Sequence, residues 1–160
     1  MGIMFERATI DDVDAIIDVR NQCFYEDYVK YGECPGYNIS KVSMTNSILN
    51  RVAYKIISNN QIIGNISVRD NYDSTYYIGC LCVIPDYENR GIGQESIRFI
   101  ESEFPAATIW TLVTPADKER NHYFYNKVGY TIVKEYFEGS MKLVQFEKKI
   151  NSAIKLNLDV

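Results

Sequence analysis

The run Ile78-Gly-Cys-Leu-Cys-Val-Ile-Pro-Asp-Tyr-Glu-Asn-Arg-Gly-Ile-Gly93 reads as a buried strand, a sharp turn and the first residues of a helix. A helix opening at Arg90-Gly91-Ile92-Gly93 leaves its first N–H groups without intrahelical partners and carries a partial positive charge there. Glycine lets a ligand come close to the backbone. Together these features make a seat for phosphate, so the chain is expected to hold a phosphorylated cofactor.

Spacing separates the classes of phosphate ligand. A nucleotide P-loop ends in Gly-Lys-Ser/Thr, and no such ending follows Gly93. A dinucleotide fold wants a third glycine where this chain has Ser96, and an acidic residue further on where it reads Thr111-Leu-Val-Thr114. What remains is a strand, Val83-x-Pro85, then Arg90-Gly-Ile-Gly93 and a helix. This resembles motif A of the GCN5-related N-acetyltransferases (GNAT), commonly written Gln/Arg-x-x-Gly-x-Gly/Ala. The first position here is Glu88, a departure from that pattern. An acidic side chain there is unfavourable beside a pyrophosphate unless it points away, and Arg90 is placed to compensate.

A second stretch, Asn121-His-Tyr-Phe-Tyr-Asn-Lys-Val-Gly-Tyr130, is similar to motif B of the same family, at Phe124, Tyr125, Lys127, Gly129 and Tyr130. The two motifs stand in the family's order with a strand between them. The resemblance implies a single-domain α/β fold. Its sheet would be mixed and mostly antiparallel, with helices on both faces and the fourth and fifth strands splayed. It implies acetyl-CoA as cofactor, its pantetheine arm paired with backbone groups of Leu81, Cys82 and Val83. The pyrophosphate would be wrapped by Glu88, Asn89, Arg90, Gly91, Ile92, Gly93 and Gln94. Asn121 is a further cofactor candidate, although the family's usual asparagine falls nearer Lys118.

Acetyl transfer to an amine needs a neutral nucleophile, stabilisation of the carbonyl oxygen, and a proton for the departing thiolate. A backbone N–H on the strand containing Cys82 would serve the oxygen. Tyr125 occupies the family's frequent general-acid place. A phenol titrates near ~10 and a thiol near ~8.5, so the phenol is protonated and able to donate at neutral pH. No carboxylate lies in the strand from Tyr76 to Ile84, and the general base is left open between a water relay and Glu26, Asp27 or Glu33. His122 turns roughly 60° away from Tyr125 on a shared helix, which makes it a surface or supporting residue. The alternative to an enzyme is a non-catalytic CoA-binding regulatory or interaction module, for which the Glu88 departure and the missing base leave room.

In this family the first helices and their loop largely set the acceptor. Here that segment is Phe24-Tyr-Glu-Asp-Tyr-Val-Lys-Tyr-Gly-Glu-Cys-Pro-Gly-Tyr37, where aromatics interleave with carboxylates. Tyr25, Glu26, Tyr28 and Glu33 are the candidate substrate residues. Such a surface suits a cationic amine, through charge and ring faces: a polyamine, an aminoglycoside-like compound or a peptide amine. The competing reading is a solvated loop over packed tyrosines.

Length and composition bound the rest. The chain has 160 residues, 46% hydrophobic and 24% charged, as one ordinary globular domain does. A domain over 1–150 and an unassigned tail over 151–160 are expected. No apolar run approaches a membrane span and no secretory leader is visible. The net charge of −4 argues against a nucleic-acid partner; a homodimer is compatible. Cys23, Cys34, Cys80 and Cys82 form no Cys-x-x-Cys pair and the only histidine is His122, so no metal site is expected. Cys80 and Cys82 share one strand face and read as buried hydrophobes in a reducing cytoplasm.

The elements that must position these residues follow from periodicity and punctuation. A strand over Phe5 to Ala8 precedes a capping box at Thr9 and Asp12. Val13, Ile16, Ile17, Arg20, Cys23 and Phe24 recur at helical spacing, and the apolar members form one buried stripe. Tyr25 to Asn38 reads as loop or broken helix around Gly32, Pro35 and Gly36. Ser40 caps a short helix through Leu49. Strands over Ala53 to Ile57 and Ile62 to Val68 flank a hairpin turn, and Tyr76 to Ile84 feeds the glycine turn. The next helix is stopped by Pro105. A strand over Thr108 to Val113, a helix over Asp117 to Lys127 with Gly129 at its end, and a hairpin of Tyr130 to Phe137 with Met141 to Lys148 complete the order.

Overall fold

The computed structural model describes residues 2–150; the expected tail over 151–160 lies outside the described residues. The elements are β1 (Met4–Arg7), α1 (Val13–Tyr31), α2 (Lys41–Asn50), β2 (Val52–Ser58), β3 (Gln61–Asp70), β4 (Thr75–Val83), α3 (Ile92–Glu103), β5 (Ile109–Pro115), α4 (Glu119–Lys127), β6 (Thr131–Glu138) and β7 (Met141–Lys149). Seven strands form one mixed sheet in the order β1-β2-β3-β4-β5-β7-β6. The expected element order and fold class are both found. Among the described residues the chain divides into two compact units, 2–69 with Cys80–Phe99, and Asp70–Gly79 with 100–150. Strand β4 contributes to each.

In the first unit, Thr9 closes a capping box: its N–H donates to Asp12 Oδ2 at 2.8 Å, opening the turn that leads into α1. The helix runs on through Tyr31, past the expected break at Tyr25. Nothing between Phe24 and Tyr31 forbids helix, and the first effective stop is Gly32. It takes φ +77, and its N–H closes on Tyr28 O at 2.9 Å. Ser40 caps α2 as expected, accepting from the Ser43 N–H at 3.1 Å. The β2–β3 hairpin turns on Asn59 and Asn60, both at positive φ, as a tight primed turn requires. Adjacent β2 residues point to opposite faces. Ala53 packs with Val13, Ile16, Met44 and Ile48 of α1 and α2, whereas the Tyr54 ring meets Phe99 of α3 edge-on at 4.9 Å. Helices therefore cover both faces of this part of the sheet.

In the second unit the parallel ladder between β4 and β5 pairs Thr75 with Ile109, Tyr76 with Trp110 and Tyr77 with Thr111. Both strands continue beyond it, to Val83 and Pro115. Strand β5 then pairs with β7 along its whole length, from Ile109↔Lys149 to Pro115↔Leu143. Trp110, Tyr130 and Phe146 are fully buried here.

Candidate active site

After Ile84 the chain makes a single 3-10 turn over Pro85–Tyr87, with Tyr87 N–H on Ile84 O at 2.9 Å and Glu88 N–H on Pro85 O at 3.2 Å. Asn89 then takes φ +62 and Gly91 φ +78. Two left-handed residues around Arg90 turn the chain sharply into α3. The hydrogen bond from Glu95 N–H to Gly91 O, 3.1 Å, ties the helix start to the turn. The amides of Ile92, Gly93 and Gln94 precede it and have no i−4 partner inside the helix. A Cβ built on Gly91 would meet nothing within 4 Å. The Cβ side of Gly91 is thus open, beside amides without intrahelical partners, an arrangement that could seat an anion such as a diphosphate. Arg90 is held by its own loop, its Nη2 donating to Asp86 O at 2.9 Å and its guanidinium lying 4.8 Å from the Tyr87 ring centre. Ser96 is wholly buried and donates to Ile92 O at 2.7 Å, so its hydroxyl belongs to the helix.

Upstream, β4 divides the three predicted backbone contacts. Ile84 N–H donates to Ile63 O at 2.8 Å, and a Cβ on Gly64 would collide with the Cys82 carbonyl oxygen. Backbone groups alternate sides along a strand, so those of Cys82 are turned toward β3 and those of Leu81 and Val83 toward the other edge. Cys80 and Cys82 are buried together with Val19, Ile56, Ile63, Ile84 and Ile92. The hydrogen bond to Cys82 and then burial hold the Cys80 thiol well above its ordinary range. Cys82 is raised first by its hydrogen bond to Cys23, and the Arg20 charge pulls the other way on both thiols. Both shifts favour the neutral thiol over the nucleophilic thiolate.

On α4, Tyr125 is 9% exposed, its ring 5.5 Å from Phe146 and 6.0 Å from Tyr130. Tyr130 donates to Glu101 Oε2 at 3.0 Å, and Lys148 donates to Glu101 Oε1 at 2.7 Å. Burial first, then the Glu101 charge, pushes the Tyr130 phenol far up. Asn121 donates from Nδ2 to Thr114 Oγ1 at 2.9 Å, which ties α4 to β5. His122 Nε2 lies 3.3 Å from Pro115 O, with its ring edge-on to Phe146 at 5.5 Å.

On the substrate side, Tyr25, Glu26 and Tyr28 sit on the unbroken α1 rather than in a loop or broken helix, and Glu33 is exposed just beyond Gly32. Tyr28 stacks on Tyr37 at 4.6 Å, with Tyr25 6.1 Å from the same ring. A cavity of about 490 Å³ is lined by Asp18, Asn21, Gln22, Tyr25, Pro85 and Asp86. Of the four candidates only Tyr25 reaches it. One buried polar pair escaped the sequence reading: Arg20, in the apolar stripe of α1, donates from Nε to Asn65 Oδ1 at 2.8 Å.

The model of the acetyltransferase (GNAT) family matches residues 14–130. The chain belongs to that family. Among solved structures, it superposes on the PaiA N-acetyltransferase of Thermoplasma acidophilum in complex with coenzyme A with a TM-score of 0.80. The two are 19% identical, over 94% of this chain and 100% of that one. An acetyltransferase of Thermus thermophilus gives 0.78 at 13% identity over 94% and 98%. The ribosomal-protein-S18-alanine N-acetyltransferase of Escherichia coli gives 0.77 at 11% over 94% and 95%. These likenesses concern the fold. The uncharacterized protein YrkN of Bacillus subtilis is 35% identical over 89 residues, 54% of this chain, and the match spans about half of YrkN, 48% of its length.

Proposed function

We propose that the chain is an acetyl-CoA-dependent N-acetyltransferase that moves the acetyl group onto a primary amine by direct attack. The observation that carries this reading is the turn before α3: Asn89 and Gly91 are left-handed, the first amides of a twelve-residue helix follow, and the space before Gly91 is open. Backbone donors there would bind the pyrophosphate of acetyl-CoA, which supplies the activated acyl thioester. The outward backbone groups of Leu81 and Val83 would pair with the pantetheine amides, and an N–H on that edge would stabilise the carbonyl oxygen as charge develops. Tyr125 would hand its phenolic proton to the sulfur as the C–S bond breaks. Asp18 and Asp86, on the cavity beside Tyr25, would draw in a protonated amine and accept its proton through water.

The test begins with thermal shift against acetyl-CoA and ATP. Acetyl-CoA is expected to raise the melting temperature and ATP to leave it unchanged; the opposite order removes the reading. Thioester consumption with a panel of primary amines then separates an enzyme from a module that binds CoA without chemistry.

A further inference from the structure

A second cavity, of about 720 Å³, lies against the polar face of α2, where Ser43, Asn46 and Asn50 meet Tyr37, Arg20 and Arg51. Its lining contains two arginines and no Asp or Glu. Arg20 is only 8% exposed. Its Nε is bound to Asn65 Oδ1, and the fully buried Asn65 is itself fixed by donating from Nδ2 to Tyr54 O at 3.0 Å. Among the described residues the Arg20 Nη groups have no hydrogen-bond partner and neither arginine has an ion-pair partner. The Nη atoms are not sealed in the core; they open onto the cavity, and a guanidinium there with no counter-charge from the chain is placed to take an anion. One edge of the guanidinium is fixed by Asn65, which leaves the terminal fork to accept a planar or tetrahedral oxyanion. The same charge is felt by the thiols of Cys80 and Cys82 on β4. Asn65, which fixes Arg20, lies on β3, the neighbour of β4 in the sheet, so an anion held at Arg20 would lie by the part of the sheet that carries the β4 segment to which the thioester is assigned.

We infer that this cavity holds an anionic group of the acceptor, a carboxylate or a phosphate, so the acceptor is a small amine that also carries a negative charge. The word acceptor rests on the acetyl-transfer reading; the anion site does not. An acceptor of this kind differs from the polycation that the acidic residues of α1 suggested.

Two arms test it. In the first, succinate and inorganic phosphate are titrated calorimetrically into the wild-type chain, Arg20→Gln and Arg51→Gln, with folding of each checked by circular dichroism. Binding of at least one probe to the wild type, weakened ~10–100-fold in either variant, is expected. Absence of binding to the wild type, or binding that both variants retain, overturns the proposal. Arg51, which is not fully buried, keeps this arm decisive if Arg20→Gln fails to fold. In the second arm, acetyl-CoA consumption is compared for amino acids, for amines bearing a phosphate, and for the matching amides and unsubstituted amines. The anionic members are expected to show the higher kcat/KM, through KM, and the better group identifies the source of the charge. In Arg20→Gln or Arg51→Gln the preference over neutral partners should collapse. Equal turnover of acids and amides by the wild type overturns the acceptor assignment. Anion binding with no turnover of any amine overturns the acetyl-transfer reading, and the acceptor assignment with it, while the anion site stands.

Discussion

Replacing Gly91 by alanine separates what the glycine turn does for folding from what it does for the cofactor. In the free protein the new methyl meets nothing within 4 Å, so packing contributes no clash. The penalty is conformational: φ is +78, and an L-residue held there costs about 1–2 kcal/mol. For a chain of this size that lowers the melting temperature by roughly 2–8 °C. On the proposed reading, a diphosphate approaching the amides of residues 92 to 94 would pass beside Gly91, and the methyl would stand in its way. Losing one charge-assisted hydrogen bond weakens binding by ~10–100-fold. Gly139→Ala is the control: φ is +62 in the turn between β6 and β7, and again nothing lies within 4 Å. Urea denaturation of the free variants and calorimetric titration with coenzyme A measure the two effects apart. Both variants are expected to lose similar stability, and only Gly91→Ala to lose affinity. If Gly91→Ala binds coenzyme A as the wild type does, the phosphate seat lies elsewhere and the assignment of residues 88 to 94 fails with it.

Tyr125→Phe should lower steady-state turnover by ~10²–10⁴ while leaving coenzyme A binding in place; unchanged turnover removes Tyr125 from the chemistry. Gly64→Ala would drive a methyl into the Cys82 carbonyl and to 3.0 Å from Ile56 Cδ1. A loss of about 3 kcal/mol in urea denaturation is expected, and a loss below about 0.5 kcal/mol would contradict the close approach of β3 and β4. The raised thiols of Cys80 and Cys82 bear on pH dependence. With the folded pKa above the unfolded one, the folded chain keeps protons that the unfolded chain releases. Their contribution is therefore complete below the ordinary thiol range and is lost as pH rises above it. Denaturation midpoints that fall from about pH 9 upward, less steeply in Cys80→Ala/Cys82→Ala, would bear this out; slopes equal to the wild type's would refute it.

The element order was legible because its signals are local: Thr9 with Asp12, Ser40, the hairpin between Ser58 and Gln61, and the stop at Pro105 each act within a few residues. The end of α1 was misjudged because several breakers cluster after Tyr31 and the sequence does not say which acts first. Gly32 does, and its action moves Tyr25, Glu26 and Tyr28 from a loop or broken helix onto an unbroken one. The backbone direction of Cys82 was beyond a local reading, since it depends on the register of β4 against β3. Arg20 is the sharper case. Helical spacing placed it in the buried stripe of α1, yet a cation at such a position is ordinarily expected to reach back to water through its flexible stem. What holds it inside is Asn65, distant in sequence and itself fixed by the Tyr54 carbonyl. A periodic position tells which way a side chain starts; only its partners decide where the charge ends. When a charged residue falls in an apolar stripe, the useful question is therefore what neutralises it. For Arg20 no described residue does, which leaves that role to an anion from outside the chain.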